Sequence, residues 1–112
     1  MSKKRVVITG MGIVSPIGND LDEFWKNLKV GHNGIDQISS FDTTKFDVKI
    51  AGESNIDLAS FFDRKELNKL DRFTAFALVA AEQAITQSNI NNKNSLSSRI
   101  GVIVGSGIGG IG

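Results

Sequence analysis

A chain of 112 residues is long enough for one domain, able to bury roughly two-thirds of its unfolded surface if it folds alone. With 13 Lys and Arg against 12 Asp and Glu, the net charge of +1 excludes a protein whose main work is coating nucleic acid or an anionic membrane. The complete lack of cysteine excludes a disulfide framework, a thiolate metal site and a thiol nucleophile within these residues.

The N-terminal MSKKRVVITGMGIV has a basic head, but its apolar run is cut by Thr9, Gly10 and Gly12. It is too short for a secretory h-region or for the roughly 20 apolar residues of a membrane span, so a cytoplasmic location is expected. Arg5 to Ile8 reads as a buried strand leaving through the Gly10-Met11-Gly12 turn. Asp20 to Glu23 has the form of a capping box that starts a helix carrying Phe24, Trp25 and Leu28, and Gly31 is placed to end it in the left-handed conformation.

Asn33 to Phe46 is turn-rich, and Val48 to Gly52 alternates like a short edge strand. Ile56 to Phe62 and Arg64 to Leu70 suggest short helical turns, after which Asp71 is expected to cap a long helix. In that helix Phe73, Phe76, Ala77, Ala80, Ala81, Ala84 and Ile85 form one broad apolar face, rich in alanine and suited to close packing inside a larger body. Ser88 to Ser98 reads as a loop and Arg99 to Val104 as a second buried strand. The order is that of an α/β protein with parallel pairing, and no linker or repeat divides residues 1–112.

Gly105-Ser106-Gly107-Ile108-Gly109-Gly110 formally satisfies G-x-G-x-x-G after a predicted strand. A dinucleotide site also requires a helix opening within the glycines and an acidic residue about 20 positions on, and both would fall outside these residues. The alternative is that this loop and Gly10-Met11-Gly12 are tight strand exits where only glycine fits. His32 is the single histidine, so Ser-His-Asp chemistry and His-rich metal sites lack their parts.

Taken in order, KKRVVITGMGIVSPIGND, Trp25, GHNGID, FDTTKF with Ala51-Gly52, DRKELNKLDRF and RIGVIVGSGIGG resemble the start of the β-ketoacyl-acyl carrier protein synthases, in particular their type II branch. The resemblance runs from Lys4 to Gly112 and implies the N-terminal part of a thiolase-like fold, with alternating α and β layers in the intact enzyme. It implies an acyltransferase of fatty acid biosynthesis, working by decarboxylative Claisen condensation of an acyl thioester with malonyl-acyl carrier protein. That chemistry needs a cysteine thiolate, two histidines and an oxyanion hole. None of these can be assigned here, so the chain is expected to be an inactive fragment of such an enzyme.

Two features carry over from the family. Ile108, flanked by Gly107 and Gly109, matches the residue that gates the acyl pocket. Arg64, Lys65 and Lys69 fall in the segment that docks the acidic acyl carrier protein, where Asn68 departs from the arginine some relatives have. Arg72 is expected only to support the start of the long helix. The resemblance implies acyl and malonyl thioester substrates, a homodimer for the intact enzyme, and no cofactor, metal, nucleic acid or membrane partner. A non-catalytic module binding acyl carrier protein, or a phosphate-binding module using the glycine loops, are the alternative readings.

Overall fold

A computed structural model describes residues 3–90 and 97–110. Its first helix, α1, spans Leu21–Lys29. The Asp20 carboxylate accepts from the Glu23 amide at 2.8 Å, which is one half of the expected capping box. The Glu23 side chain returns one residue further back than expected, accepting from the Asn19 amide at 2.8 Å. At the other end Gly31 has φ +70°. The Gly31 amide donates to the Leu28 carbonyl and the His32 amide to that of Asn27, the paired bonds of a Schellman motif.

A two-stranded antiparallel sheet follows, β1 at Asp36–Gln37 and β2 at Ile50–Ala51, with Asp36 opposite Ala51 and Gln37 opposite Ile50. The edge strand expected near residue 50 is therefore present, while β1 lies in a stretch read from sequence as turns. The connection between them has its own order. Phe41 and Phe46 pack edge to face at 5.6 Å, and the Asp42 carboxylate accepts from the Thr44 amide.

A 3₁₀ turn at Leu58–Ser60 leads to the four-residue helix α2, Arg64–Leu67, and then to α3, Arg72–Ser88. The α2 start is a complete capping box: Asp63 accepts from the Lys65 and Glu66 amides while Glu66 accepts from the Asp63 amide. Asp71 occupies the N-cap position of α3 but its side chain makes no capping bond. Asn89, at φ 55°, ends that helix in the left-handed region.

The core lies along α3, and its fully buried positions are displaced from the face read in the sequence, of which Ala80 and Ala84 are nevertheless packed. Ala75 and Val79 are buried, and with Gln83 and Gln87 they recur every four residues along one side. At 3.6 residues per turn that seam stands roughly 120° from the centre of the Phe73–Ile85 face. The N-terminal segment lies across the edge between this seam and the face read in the sequence, against Ala80 and Ala84 of that face and Gln83 and Gln87 of the seam. A Cβ placed on Gly12 would coincide with the Ala80 carbonyl oxygen, and one on Gly10 with that of Ala84. Two residues of extended chain advance about 6.6 Å and four residues of helix about 6 Å, so the two periodicities match. Glycine at both positions lets the segment lie directly on the helix backbone.

The amides alternate with those contacts. Met11 N–H donates to the Gln87 side-chain oxygen at 2.7 Å and Ile13 N–H to that of Gln83 at 2.9 Å. Gln83 also donates through Nε2 to the Asn19 carbonyl, and Asn19 in turn exchanges side-chain bonds with Ser54 and Asn55. One helix side thus supplies the hydrogen-bond partners that a neighbouring strand would otherwise give.

The two buried strands read at residues 5–8 and 99–104 are not found as strands. Val6 is 89% exposed and Ile103 fully so, and Ser97–Arg99 is a 3₁₀ turn. β1 pairs with β2 alone, and antiparallel, among the described residues. The physical reason is that an apolar run becomes an inner strand only when chain lies at both its edges and on both its faces. Most of the loop read at Ser88–Ser98 lies outside the described residues, and the part that is described begins inside α3.

Candidate functional site

The Gly105–Gly110 loop meets the chain at the start of α3. The Gly109 amide donates to Ser106 Oγ at 2.9 Å, closing a small turn, and Gly109 takes φ +81° with the Phe73 ring beside it. Gly110 lies against the Asp71 carboxylate, where a Cβ would overlap the side-chain oxygens. Gly105 and Gly107 have open space where a side chain would be, and Ile108 is 79% exposed. Loop and helix start are therefore in contact, but through a carboxylate. An anion held by these glycine amides would stand next to that negative charge, the reverse of a phosphate cradle.

Arg64, Lys65 and Lys69 are all exposed. The capping box orders α2 at its start, but the helix stops at Leu67 and Lys69 sits in the turn beyond, its amide donating to the Glu66 carbonyl at 2.9 Å. The three basic residues therefore stand on one helical turn and its exit, and the turn read at Arg64 to Leu70 is shorter than expected. Arg72 has work besides supporting the start of α3. Its guanidinium stacks 4.9 Å from the Phe76 ring centre and donates to the Ser54 carbonyl at 2.8 Å, tying α3 to the segment after β2.

Arg72 and Phe76 line an open hollow of about 740 Å³ together with Gly34, Asp36, Ser39 and Glu53. Here the Glu53 carboxylate gathers the hydroxyls and amides of both Ser39 and Ser40. Those bonds, the Ser40 hydroxyl first and then the Ser39 amide and hydroxyl, hold the Glu53 pKa down at about 2 by stabilising its charged form. The serine pair thirteen residues ahead of the glutamate carries no spacing signal, and sequence reasoning passed over this clasp. Among the described residues no group of three or more His, Cys, Asp and Glu could hold a metal ion. No described helix is long and apolar enough to cross a membrane.

Residues 3–111 match the family described as "Beta-ketoacyl synthase, N-terminal domain". A "3-oxoacyl-[acyl-carrier-protein] synthase 2" of Staphylococcus aureus strain N315 is 48% identical over 109 residues, covering 96% of this chain and 26% of that protein. A protein of the same name from Synechocystis is 42% identical over 112 residues, covering 99% and 27%. Among solved structures, "The ishigamide ketosynthase/chain length factor" aligns with a TM-score of 0.72 at 28% identity over 81% of this chain and 23% of its own. The chain spans about a quarter of the length of the curated relatives it matches.

Proposed function

The chain belongs to the β-ketoacyl synthase family, and from that premise we propose that it contributes the N-terminal portion of a type II condensing enzyme. The observation that carries this reading is near-complete coverage of these residues by synthases at up to 48% identity. The reaction joins an acyl thioester to the carbanion left when malonyl-carrier loses carbon dioxide, lengthening the chain by two carbons. With no cysteine and one histidine, these 112 residues hold neither the thiolate nor the histidine pair, so they serve substrate handling and not bond-making.

Ile108 is the residue assigned to the acyl chain. An exposed isoleucine between Gly107 and Gly109, with nothing crowding Gly107, can swing aside for an entering acyl group at the modest cost of a rotamer change. Arg64, Lys65 and Lys69 are assigned to docking of the acidic acyl carrier protein, supported by their exposure around α2. The intact enzyme is assigned as a homodimer on the resemblance, and as cytoplasmic on the short, interrupted apolar run near the N-terminus.

The test uses a full-length synthase carrying this sequence. Ile108→Phe should slow elongation of long acyl chains more than short ones while the fold is kept; equal rates across chain lengths would refute the gate. Reversing both Lys65 and Lys69 to glutamate should raise the KM for acyl carrier protein severalfold with little change in kcat. An unchanged KM would remove these lysines from docking.

A further inference from the structure

We propose that Asn33 is a site of spontaneous covalent modification: its side-chain amide is lost through a cyclic imide formed with the Gly34 nitrogen, and the isoaspartyl product loosens the pairing of β1 with β2.

The chemistry starts from the sequence. The backbone nitrogen that follows an asparagine can close a five-membered ring on its Cγ, and a side chain on the following residue hinders that attack. Glycine has none. Asn33-Gly34 is the one Asn-Gly step in the chain. The structure leaves it open to reaction. Asn33 is exposed in the connection between Gly31, which ends α1, and the start of β1. Among the described residues the Gly34 amide donates no hydrogen bond, so its nitrogen gives up no partner when it attacks. The Ile35 amide donates to Asn33 Oδ1 at 3.0 Å, which draws electron density from Cγ and steadies the oxygen as it gains charge. Asn27 and Asn55 differ on both counts: Leu28 and Ile56 follow them, and their side chains are bonded to the Ile17 carbonyl and to Asn19.

The reaction balances with water alone. Gly34 N bonds to Cγ and loses its proton, while Nδ2 gains one and leaves as ammonia. Water then opens the imide on either side of the Gly34 nitrogen. Breaking the bond to Cγ gives an aspartyl residue and restores the main chain. Breaking the bond to the main-chain carbonyl carbon gives an isoaspartyl residue, whose main chain runs through Cβ and Cγ and is one carbon longer. Either product adds a negative charge to a chain whose net charge is +1.

The two products act differently on the fold. Gly34 is pressed against the turn before α1, where a Cβ would stand 2.8 Å from Pro16 Cβ and 2.6 Å from Ile17 Cγ2, and Pro16 also abuts Gly52 just after β2. An aspartyl side chain keeps both the chain length and an acceptor for the Ile35 amide. An isoaspartyl linkage puts the extra carbon directly before Gly34, which has no room for it on the Pro16 side, so β1 is displaced from β2. The bond from the Ile38 amide to the Lys49 carbonyl, 2.9 Å, reports that displacement.

The experiment holds the chain at physiological temperature and mildly alkaline pH for days and measures the mass of the tryptic peptide Val30–Lys45. Asn33 should convert at least about tenfold faster than Asn27, Asn55 and Asn68, each of which precedes a residue with a side chain. Its rate in buffer should lie within about tenfold of the rate in concentrated urea, where the turn is gone. The Ile38 amide should be protected from exchange at the outset and should exchange at least about tenfold faster in the isoaspartyl fraction. Asn33→Asp, which adds the charge without lengthening the chain, should keep the parental exchange at Ile38, and Asn33→Gln should show neither the mass change nor the loosening. A rate in buffer more than about tenfold below the urea rate would show that the fold shields Asn33 and would overturn the inference. So would an isoaspartyl fraction that exchanges at Ile38 like the parent, or an Ile38 amide unprotected from the start.

Discussion

Replacing Gly12 by alanine tests the close approach of the N-terminal segment to α3. The added methyl would coincide with the Ala80 carbonyl oxygen and crowd the Gln83 side chain, both fixed by the backbone of α3. The N-terminal segment must therefore move off the helix by an ångström or more. Overpacking of this kind costs about 1–3 kcal/mol. The shift also lengthens the Met11–Gln87 and Ile13–Gln83 bonds, now 2.7 and 2.9 Å, each contributing about 0.5–1.5 kcal/mol. The total, about 2–6 kcal/mol, is a large part of the 5–15 kcal/mol that a whole domain commands. Gly101→Ala is the matched control, since nothing lies within 4 Å of a Cβ there and its effect should stay within about 0.5 kcal/mol. Amide exchange reads both: Met11 and Ile13 should lose protection in the Gly12 variant and keep it in the Gly101 variant. Equal protection at Met11 and Ile13 in the two variants would refute the close-approach reasoning.

The Glu53 clasp predicts a pH dependence. Its carboxyl has a folded pKa of about 2 against an ordinary 4.5, so its stabilisation is complete above 4.5 and is lost as pH falls from there toward 2. Chemical shifts of the Ser39 and Ser40 amides should follow that window in the parent chain and stay flat in Glu53→Gln; a parent titration centred at 4.5 would contradict the clasp. At α2, Asp63→Ala removes the acceptor for two amides and the partner of Glu66, and should cost about 0.5–2 kcal/mol, read as faster exchange at Lys65 and Glu66. Unaltered exchange at both would show that α2 holds without its cap.

What the sequence made legible was local. Asp20 and Gly31 mark the ends of α1 because a cap and a left-handed exit depend on a few neighbouring residues. The Asp63–Glu66 box has the same D-x-x-E form and was readable by the same rule. The seam of α3 was hidden for a different reason: its working residues are Gln83 and Gln87, polar side chains that an apolar periodicity count discards, and they face an N-terminal segment some seventy residues away. Strands at residues 5–8 and 99–104 were over-read because apolar composition indicates what a segment can become, whereas pairing depends on which chain lies beside it. Glu53 was invisible because its effect comes from the fold of one loop, and the carboxylate itself is an ordinary surface residue in the sequence.

The two glycine motifs show how far like patterns can diverge. Gly10 and Gly12 lack side chains because helix backbone occupies the space, which fixes the segment and leaves it no room to move. Gly105 and Gly107 lack them with open space all round, and Gly109 adds a positive φ that alanine would strain. The gate proposed at Ile108 needs the second arrangement, open at Gly105 and Gly107 and held at Gly109 and Gly110, which lie against Phe73 and Asp71 at the start of α3. The helix that holds the N-terminal segment rigid along its body thus also fixes the base of the loop carrying Ile108. The G-x-G-x-x-G match, which alone pointed to phosphate, is a glycine-lined exit lying against a carboxylate-bearing helix start.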